Sequence, residues 1–369
     1  MSNSMAKEKV LCLFPRFYTG GVSKALSFVA NTCDAYGMEV HCVSMTSEPE
    51  TIFLRQGIYR HTIDTERRDS KTKSYIYKIL FVFRFRRLVT KVKPDVVIVF
   101  RPDLAKAVLY SIRGLNIPVI GSERGNPLLH NKKRIAIYNK MYNRCAAVVF
   151  QTAAARDVYQ MRVKTAIIPN PAVSRINLEV YDGIKKGRNL LSVSRLDKGK
   201  NIEGLLRAFA MVRNQMSGRK LFLYGDGPQQ EELEDLTSKL GIKGDVIFAG
   251  NVNDFSAQKD NASIFVLNTL SEGMPNALIE AMMSGYACIC TDCPIGAPRW
   301  LSDNERRVKL VPVKDDEALS KAILEIALND EKAKTLAQNA LEVRELLNPK
   351  RIGDMWLKLI NEVLDEHNH

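Results

Sequence analysis

Long hydrophobic runs are missing from this 369-residue chain. No apolar stretch approaches the ~20 residues that a membrane-spanning helix needs. The start, Met1 to Lys9, is polar, and the apolar stretch Val10 to Phe14 is too short for a signal-peptide core. Low-complexity tracts and internal repeats are absent, which excludes solenoids, propellers and arrays. With 21 Gly and 14 Pro, collagen-like and Pro/Gly-rich disordered classes are excluded as well. Histidine is scarce, at positions 41, 61, 130, 367 and 369 only. The cysteines (Cys12, Cys33, Cys42, Cys145, Cys288, Cys290 and Cys293) are odd in number and lack framework spacing, so free thiols in a reducing cytoplasm are expected. Cys288, Cys290 and Cys293 have no fourth ligand nearby, so no zinc site is expected.

Negative charge is scarce in the first half. Residues 1–171 carry 28 Lys or Arg against 12 Asp or Glu, whereas the remainder is slightly acidic. The formal net charge of +13 therefore comes wholly from the first half. Such asymmetry points to an anionic partner, either nucleic acid or an anionic membrane face, or else to a well-solvated basic face.

What is present is an alternation. Val10–Phe14, Val40–Ser44, Val96–Phe100, Pro118–Gly121 and Ala146–Phe150 read as short buried strands separated by helices or loops. After Asn170-Pro171 the pattern restarts with Asn189–Ser194, Lys220–Tyr224, Asp245–Ala249, Ser263–Asn268 and Ala287–Thr291. Continuous apolar strands between helices mean parallel sheets covered on both faces. Two such series predict an α/β protein of two doubly wound, Rossmann-like domains, 1–171 and 172–349. Ile168–Asn189 reads as the linker. Glu317–Leu328, Glu331–Leu347 and Arg351–Asp365 read as helices.

Ligands of open parallel sheets bind beyond the carboxyl ends of the strands, so the loops there carry the information. Gly20-Gly21 follows the first strand and opens a helix, which allows either a plain turn or an anion seat. It is not the dinucleotide fingerprint, and no acid ends the second strand. Ser122-Glu123-Arg124-Gly125-Asn126-Pro127 packs polar side chains behind a strand, for structure or for a ligand. Ser194-Arg195-Leu196-Asp197-Lys198-Gly199-Lys200 places two cations, Arg195 and Lys200, at a helix start, as a diphosphate requires. Gly225-Asp226-Gly227-Pro228 reads as a tight, largely structural turn. Pro275 predicts helical onset, so the amides of Asn276, Ala277 and Leu278 form a further anion seat. Glu272 precedes that seat and Glu280 lies farther along the same strip. Each either meets hydroxyls or is an ordinary cap or helical residue.

Taken in order, Gly20-Gly21, Arg195 with Lys200, Gly225-Asp226-Gly227 and the Glu272-x7-Glu280 pair resemble retaining glycosyltransferases of the GT-B fold, family 4. The resemblance covers nearly the whole chain. It implies two Rossmann-like domains facing a deep cleft, with residues 350–369 packing back on the first, and a nucleotide-diphosphate sugar, UDP-linked by expectation, held mainly by the second domain. Arg195 and Lys200 would grip the diphosphate, helped by Ser194 and by the amides of Asn276, Ala277 and Leu278. Gly20 and Gly21 would reach the phosphate from the first domain. Glu280 would accept hydrogen bonds from the ribose, Glu272 would hold hydroxyls of the transferred sugar, and backbone at Asn251 and Val252 would read the base. Many relatives carry a His where this chain has Arg124, so Arg124 and Asn126 fall at the sugar contact. Asp-x-Asp, the metal-binding pair of another transferase fold, occurs nowhere in the chain, and no metal cofactor is expected. Residues 290–301 resemble a segment of relatives that build bacterial surface polysaccharide, departing from it at Ala297-Pro298-Arg299-Trp300.

The acceptor has to be read from the basic half. Residues 75–93 read as a helix with an apolar stripe of Phe81, Phe85, Leu88 and Val92 and a basic stripe of Arg84, Arg87 and Lys91. Either the apolar stripe is core, or the helix lies at a membrane interface with its bases on lipid phosphates. Lys132, Lys133, Arg134, Lys140 and Arg144 add a second basic stretch. In relatives the acceptor is often a lipid-linked sugar diphosphate, which Arg84, Arg87 and Lys91 could also hold. The resulting expectation is an enzyme peripheral to the cytoplasmic membrane face, with no nucleic-acid partner. The alternatives are a soluble transferase with a small acceptor, a GT-B sugar-nucleotide epimerase, and a basic nucleic-acid-binding protein. The last has no use for Glu272 and Glu280.

Overall fold

The structure, a computed structural model, describes residues 7–17, 21–46, 51–63, 73–172, 187–216, 218–251 and 261–368. It divides into two compact units, one of residues 1–170 with 350–369 and one of residues 171–349. Much of the expected linker, 173–186, lies outside the described residues.

The first unit holds a seven-stranded parallel sheet ordered β3-β2-β1-β4-β5-β6-β7. Its strands are β1 (Lys9–Phe14), β2 (Glu39–Ser44), β3 (Tyr59–Thr62), β4 (Val96–Phe100), β5 (Val119–Ser122), β6 (Ala147–Phe150) and β7 (Lys164–Ile167). The central strands read as uninterrupted apolar runs because both faces are covered; every residue of β4 and β6 is buried. Helix α1 (Gly21–Tyr36) joins β1 to β2, whereas α2 (Lys73–Val92), α3 (Pro102–Ser111) and α4 (Lys132–Tyr142) accompany the strands that step the other way. Right-handed crossovers therefore place α2, α3 and α4 on the sheet face opposite α1. Among the described residues, no helix is long and apolar enough to cross a membrane.

The second unit holds a six-stranded parallel sheet ordered β10-β9-β8-β11-β12-β13. Its strands are β8 (Asn189–Val193), β9 (Leu221–Tyr224), β10 (Val246–Gly250), β11 (Ala262–Leu267), β12 (Ala287–Thr291) and β13 (Lys309–Val311). Helix α5 (Ala153–Asp157) belongs to the first unit; α6 (Ile202–Val212), α7 (Gln230–Lys239), α8 (Asn276–Met283), α9 (Ala297–Ser302), α10 (Asp316–Leu328), α11 (Asp330–Ala340) and α12 (Val343–Leu346) belong to the second. Leu190, Leu205, Phe209, Ile264, Ile289 and Ile323 are among the residues of its core. The last helix, α13 (Pro349–Asn368), returns to the first unit, where Gly353 packs against Thr32 and Phe28 of α1.

The edge of the first sheet carries a pH-sensitive contact. His41 Nδ1 lies 2.9 Å from His61 Nε2, and His41 Nε2 lies 2.9 Å from Glu39 Oε1, which also pairs with Lys9 at 3.1 Å. The Tyr59 ring stacks on His41. The Glu39 carboxylate only accepts, so a neutral His41 donates from Nε2 and accepts at Nδ1 from His61 Nε2, and a further proton on His61 goes to its Nδ1. Burial, then His41, then Lys91 hold His61 below its ordinary range. As pH falls through ~6.5, the unfolded chain takes up this proton before the native chain does, so native stability declines. The melting temperature should therefore drop between pH 7.5 and pH 5.5, and His61→Gln should flatten that drop. An unchanged slope in the variant would contradict the assignment.

Candidate active site

In both sheets the strand order reverses beside the first strand: β1 has β2 and β4 as neighbours, and β8 has β9 and β11. At such a point two loops leave neighbouring strands and diverge, leaving a crevice. In the second unit these are the loops after β8 (194–201) and after β11 (268–275), which hold Arg195, Lys200 and Glu272.

Three hydrogen bonds stitch the two loops together. Leu270 N donates to Gly199 O at 2.8 Å, Thr269 Oγ1 to the same oxygen at 3.1 Å, and Asn268 Nδ2 to Asn201 O at 3.0 Å. Asp197 shapes the first loop by accepting from Gly199 N at 3.0 Å, and Asn201 turns through left-handed backbone (φ 47°) into α6. Thr291 Oγ1 ties the second loop to β12 through Thr269 O at 2.6 Å. The result is an ion pair between residues 72 apart in the chain: Lys200 Nζ lies 2.5 Å from Glu272 Oε1, with only 25% and 16% of the two side chains exposed. Arg195, by contrast, is 73% exposed, and its nearest acid is Asp197 at 3.6 Å. Ser194 Oγ is buried and has no hydrogen-bond partner among the described residues.

The Gly225-Asp226-Gly227 turn after β9 underpins the first loop. Leu196 N donates to Asp226 O, and Gln229 N donates back to Leu196 O. A Cβ on Gly225 (φ +130°) would sit 1.9 Å from Ser194 O, and one on Gly227 would sit 2.3 Å from Leu196 O. Only glycine lets the backbones approach this closely. Gly225→Ala should destabilise the protein by about 1–3 kcal/mol or more, measured by chemical denaturation. A variant with wild-type stability would show that the loops are not locked together here. Asn251, after β10, bonds Asp226 through its side-chain amide, whereas Val252 lies outside the described residues.

Helix α8 begins at Asn276 with Pro275 as its cap, one residue later than a proline in the first helical position would give. The amides of Asn276, Ala277 and Leu278 lie in the first turn of α8, at the positive end of the helix dipole. The Leu278 side chain is buried; those of Asn276, Ala277 and Glu280 are half-buried. Burial pushes the Cys290 thiol well above its ordinary range and that of Cys293 up to about 11. Both are influenced by Glu272, so the cysteines nearest this carboxylate are neutral thiols rather than nucleophiles. Among the described residues, no group of three or more His, Cys, Asp or Glu is arranged to hold a metal ion.

The remaining expected residues lie in the first unit. Gly21 is the exposed first residue of α1, and Gly20 lies outside the described residues. Asn126 caps a short 3-10 turn by accepting from Leu128 N at 2.9 Å. The Arg124 guanidinium lies 4.4 Å from the centre of the Phe100 ring and 5.5 Å from that of Trp356, and Nη1 donates to Asn170 Oδ1 at 3.1 Å. Burial draws its pKa down to about 9, and its buried Nε has no hydrogen-bond partner among the described residues. Arg124 therefore clamps β4 and α13 to the end of the segment that follows β7. Beside it stands a residue of the same loop to which the sequence assigns no role of its own. Buried Glu123 accepts from Tyr159 Oη at 2.8 Å and from Gly125 N at 3.0 Å, and burial raises its pKa. Its only sequence signal was an acid directly behind an apolar strand.

On α2 the apolar stripe is core. Phe81, Phe85, Val89 and Val92 are buried, and Leu88 is half-buried. Arg84, Arg87 and Lys91 are exposed, Arg84 donating to Ile63 O at 3.1 Å.

Comparison with known proteins gives this arrangement a class. A sucrose-phosphate synthase from Thermosynechococcus elongatus superposes with a TM-score of 0.83 over 98% of this chain and 100% of that one, at 17% identity. Anabaena HepE, solved with UDP and glucose, gives 0.79 over 96% and 99%, at 16% identity. The fold is thus that of the GT-B glycosyltransferases. The family "Glycosyl transferases group 1" matches residues 174–343 and "Glycosyltransferase Family 4" matches residues 19–172. Together they span most of the chain, which belongs to this family and is a glycosyltransferase. Over 360 residues (96% of this chain and 99% of the relative) it is 28% identical to a Campylobacter jejuni protein. That relative is named GalNAc-alpha-(1->4)-GalNAc-alpha-(1->3)-diNAcBac-PP-undecaprenol alpha-1,4-N-acetyl-D-galactosaminyltransferase.

Proposed function

We propose that this glycosyltransferase moves a sugar from a nucleotide-diphosphate donor, UDP-linked by preference, to a lipid-linked saccharide at the cytoplasmic membrane face, with retention of configuration and without a metal. One observation carries the reading: two loops at a switch point hold Lys200 2.5 Å from Glu272, with Arg195 on the same loop as Lys200 and the α8 amides following the loop that bears Glu272. When the bond from the sugar's anomeric carbon to the diphosphate oxygen breaks, negative charge grows on the leaving diphosphate. Arg195, Lys200 and the α8 amides meet that charge, stabilising the transition state more than the ground state. Glu272 accepts hydrogen bonds from hydroxyls of the departing sugar, and Glu280 accepts from the ribose. With these cations and amides facing the diphosphate, the charge compensation otherwise supplied by a divalent ion comes from the protein. The lipid-linked acceptor is supported by the name of the C. jejuni relative, and the uridine base by the ligand of HepE. Retention rests on the family.

The test is a donor panel read by nucleoside diphosphate release, run in EDTA with a polyprenyl-diphosphate sugar as acceptor. Release that depends on this acceptor, with an α-linked product from an α-linked donor, supports the reading. An isomerised donor formed without any acceptor would mean an epimerase. Equal turnover with simple soluble sugars would remove the lipid-linked acceptor from the proposal.

A further inference from the structure

The outer layer of the first unit formed by α2, α3 and α4 is chemically one-sided. α2 packs on α3, and α3 packs on α4. These three helices contain eleven Lys or Arg and a single acid, Asp103, which pairs with Arg101. The helix packed behind the other sheet face, α13, mixes three bases with four acids among its 20 residues. The basic surplus is therefore gathered on one layer rather than spread over the unit.

The same layer exposes large apolar side chains. On α2, Ile76, Ile79 and Phe83 stand at i, i+3 and i+7, 57%, 45% and 68% exposed, opposite the buried strip of Phe81, Phe85, Val89 and Val92. Arg87, four residues after Phe83, continues the exposed strip. The helix thus has two apolar faces, and the fold uses one. Leu128, Leu129 and Ile137 repeat the pattern around the start of α4, beside exposed Lys132, Lys133 and Lys140. Aliphatic and aromatic side chains rimmed by bases, with almost no acid, fit an interface that offers hydrocarbon just beneath a sheet of negative charge. Nucleic acid would use the bases but leave Ile76 and Ile79 without a role.

We propose that the α2–α3–α4 layer is a docking surface for an anionic lipid bilayer, with Ile76, Ile79 and Phe83 entering the headgroup–acyl boundary and Lys132, Lys133 and Lys140 resting on lipid phosphates. This surface gives the lipid-linked reading its place on the protein, and it is tested independently of turnover. The full chain is floated with vesicles of phosphatidylcholine containing phosphatidylglycerol, and with phosphatidylcholine alone. The wild type should float with the anionic vesicles only and should be partly released by salt. The triple change Ile76→Ser, Ile79→Ser, Phe83→Ser should lower the partition coefficient by roughly tenfold or more. Lys132→Gln with Lys133→Gln and Lys140→Gln should do the same at low salt. Both variants should keep wild-type circular dichroism and, on a short-chain water-soluble acceptor, wild-type rates. Equal flotation of the wild type and the Ile/Phe variant overturns the proposal, as does equal binding to neutral vesicles. So does a dimer that the same changes dissolve, or DNA binding at physiological salt that the lysine changes abolish. A wild type that floats as expected but transfers to no lipid-linked acceptor would fail the functional reading and leave the surface standing.

Discussion

Glu272→Gln should abolish detectable sugar transfer, a loss of at least ~10³-fold in kcat, while the variant binds free nucleoside diphosphate more tightly than the wild type. The two effects have one cause. In the structure the Lys200 ammonium is held by the Glu272 carboxylate at 2.5 Å. A diphosphate arriving at Lys200 must share that ammonium with a carboxylate which also repels it. Removing the negative charge frees Lys200 for phosphate, and the nucleotide gains. The sugar half loses, because an amide is a weaker and differently directed acceptor for hydroxyls than a carboxylate. A mere folding defect predicts the opposite for the nucleotide, so calorimetry with UDP and other nucleoside diphosphates separates the two. The fold should survive: Lys200 is a quarter exposed and can turn its ammonium toward water. The reciprocal change, Lys200→Met, should destabilise more, because it strands a carboxylate whose side chain is only 16% exposed. Near-normal transfer by Glu272→Gln would remove this residue from the chemistry.

The pairing of these two residues also marks how far a sequence can be read. Arg195, Lys200 and Glu272 stood out because each lies in a loop behind an apolar strand, and Glu280 because it lies in the helix that follows such a loop; these strands are legible when buried on both faces. β12 (Ala287–Thr291) is buried throughout and matches the expected strand at both ends. Three of the four edge strands, β3, β7 and β13, were missed for the same reason inverted. β3 is Tyr-Arg-His-Thr, three of its four residues exposed, so nothing in its pattern separates it from a loop. β7 and β13 are also edge strands, each with one paired side, and neither carries a long apolar run. The Lys200–Glu272 contact was not visible, because it depends on β8 and β11 being neighbours across the reversal of strand order, a property of the sheet rather than of either loop. Helix α2 shows a different limit. Its period was evident, but a helix with two apolar faces does not say which one the core will take. Packing chose Phe81, Phe85, Val89 and Val92 and left Ile76, Ile79 and Phe83 outside. Arg124 shows a third limit: the rings of Phe100 and Trp356, from β4 and from the returning α13, flank its guanidinium, and a contact between elements so far apart in the chain leaves no local signal.

Arg195→Ala should lower kcat by about 10²–10³-fold and change KM little. The geometry isolates this effect unusually well. The side chain is 73% exposed and, among the described residues, its nearest acid is 3.6 Å away, so its removal strands no described buried partner and opens no cavity. Stability should stay within a few tenths of a kcal/mol of wild type, and any loss of rate is then a loss of charge stabilisation. Lys200 cannot be tested as cleanly, because its removal also changes the state of Glu272. Arg195→Lys should recover only part of the rate. It restores the charge but not the planar fork that can contact two phosphate oxygens together. Single-turnover rates should follow kcat in both variants, because bond cleavage is the step at which the diphosphate acquires its charge. If Arg195→Ala instead raises KM and leaves kcat alone, Arg195 binds ground and transition states equally. The charge on the departing diphosphate would then fall to Lys200 and the α8 amides alone.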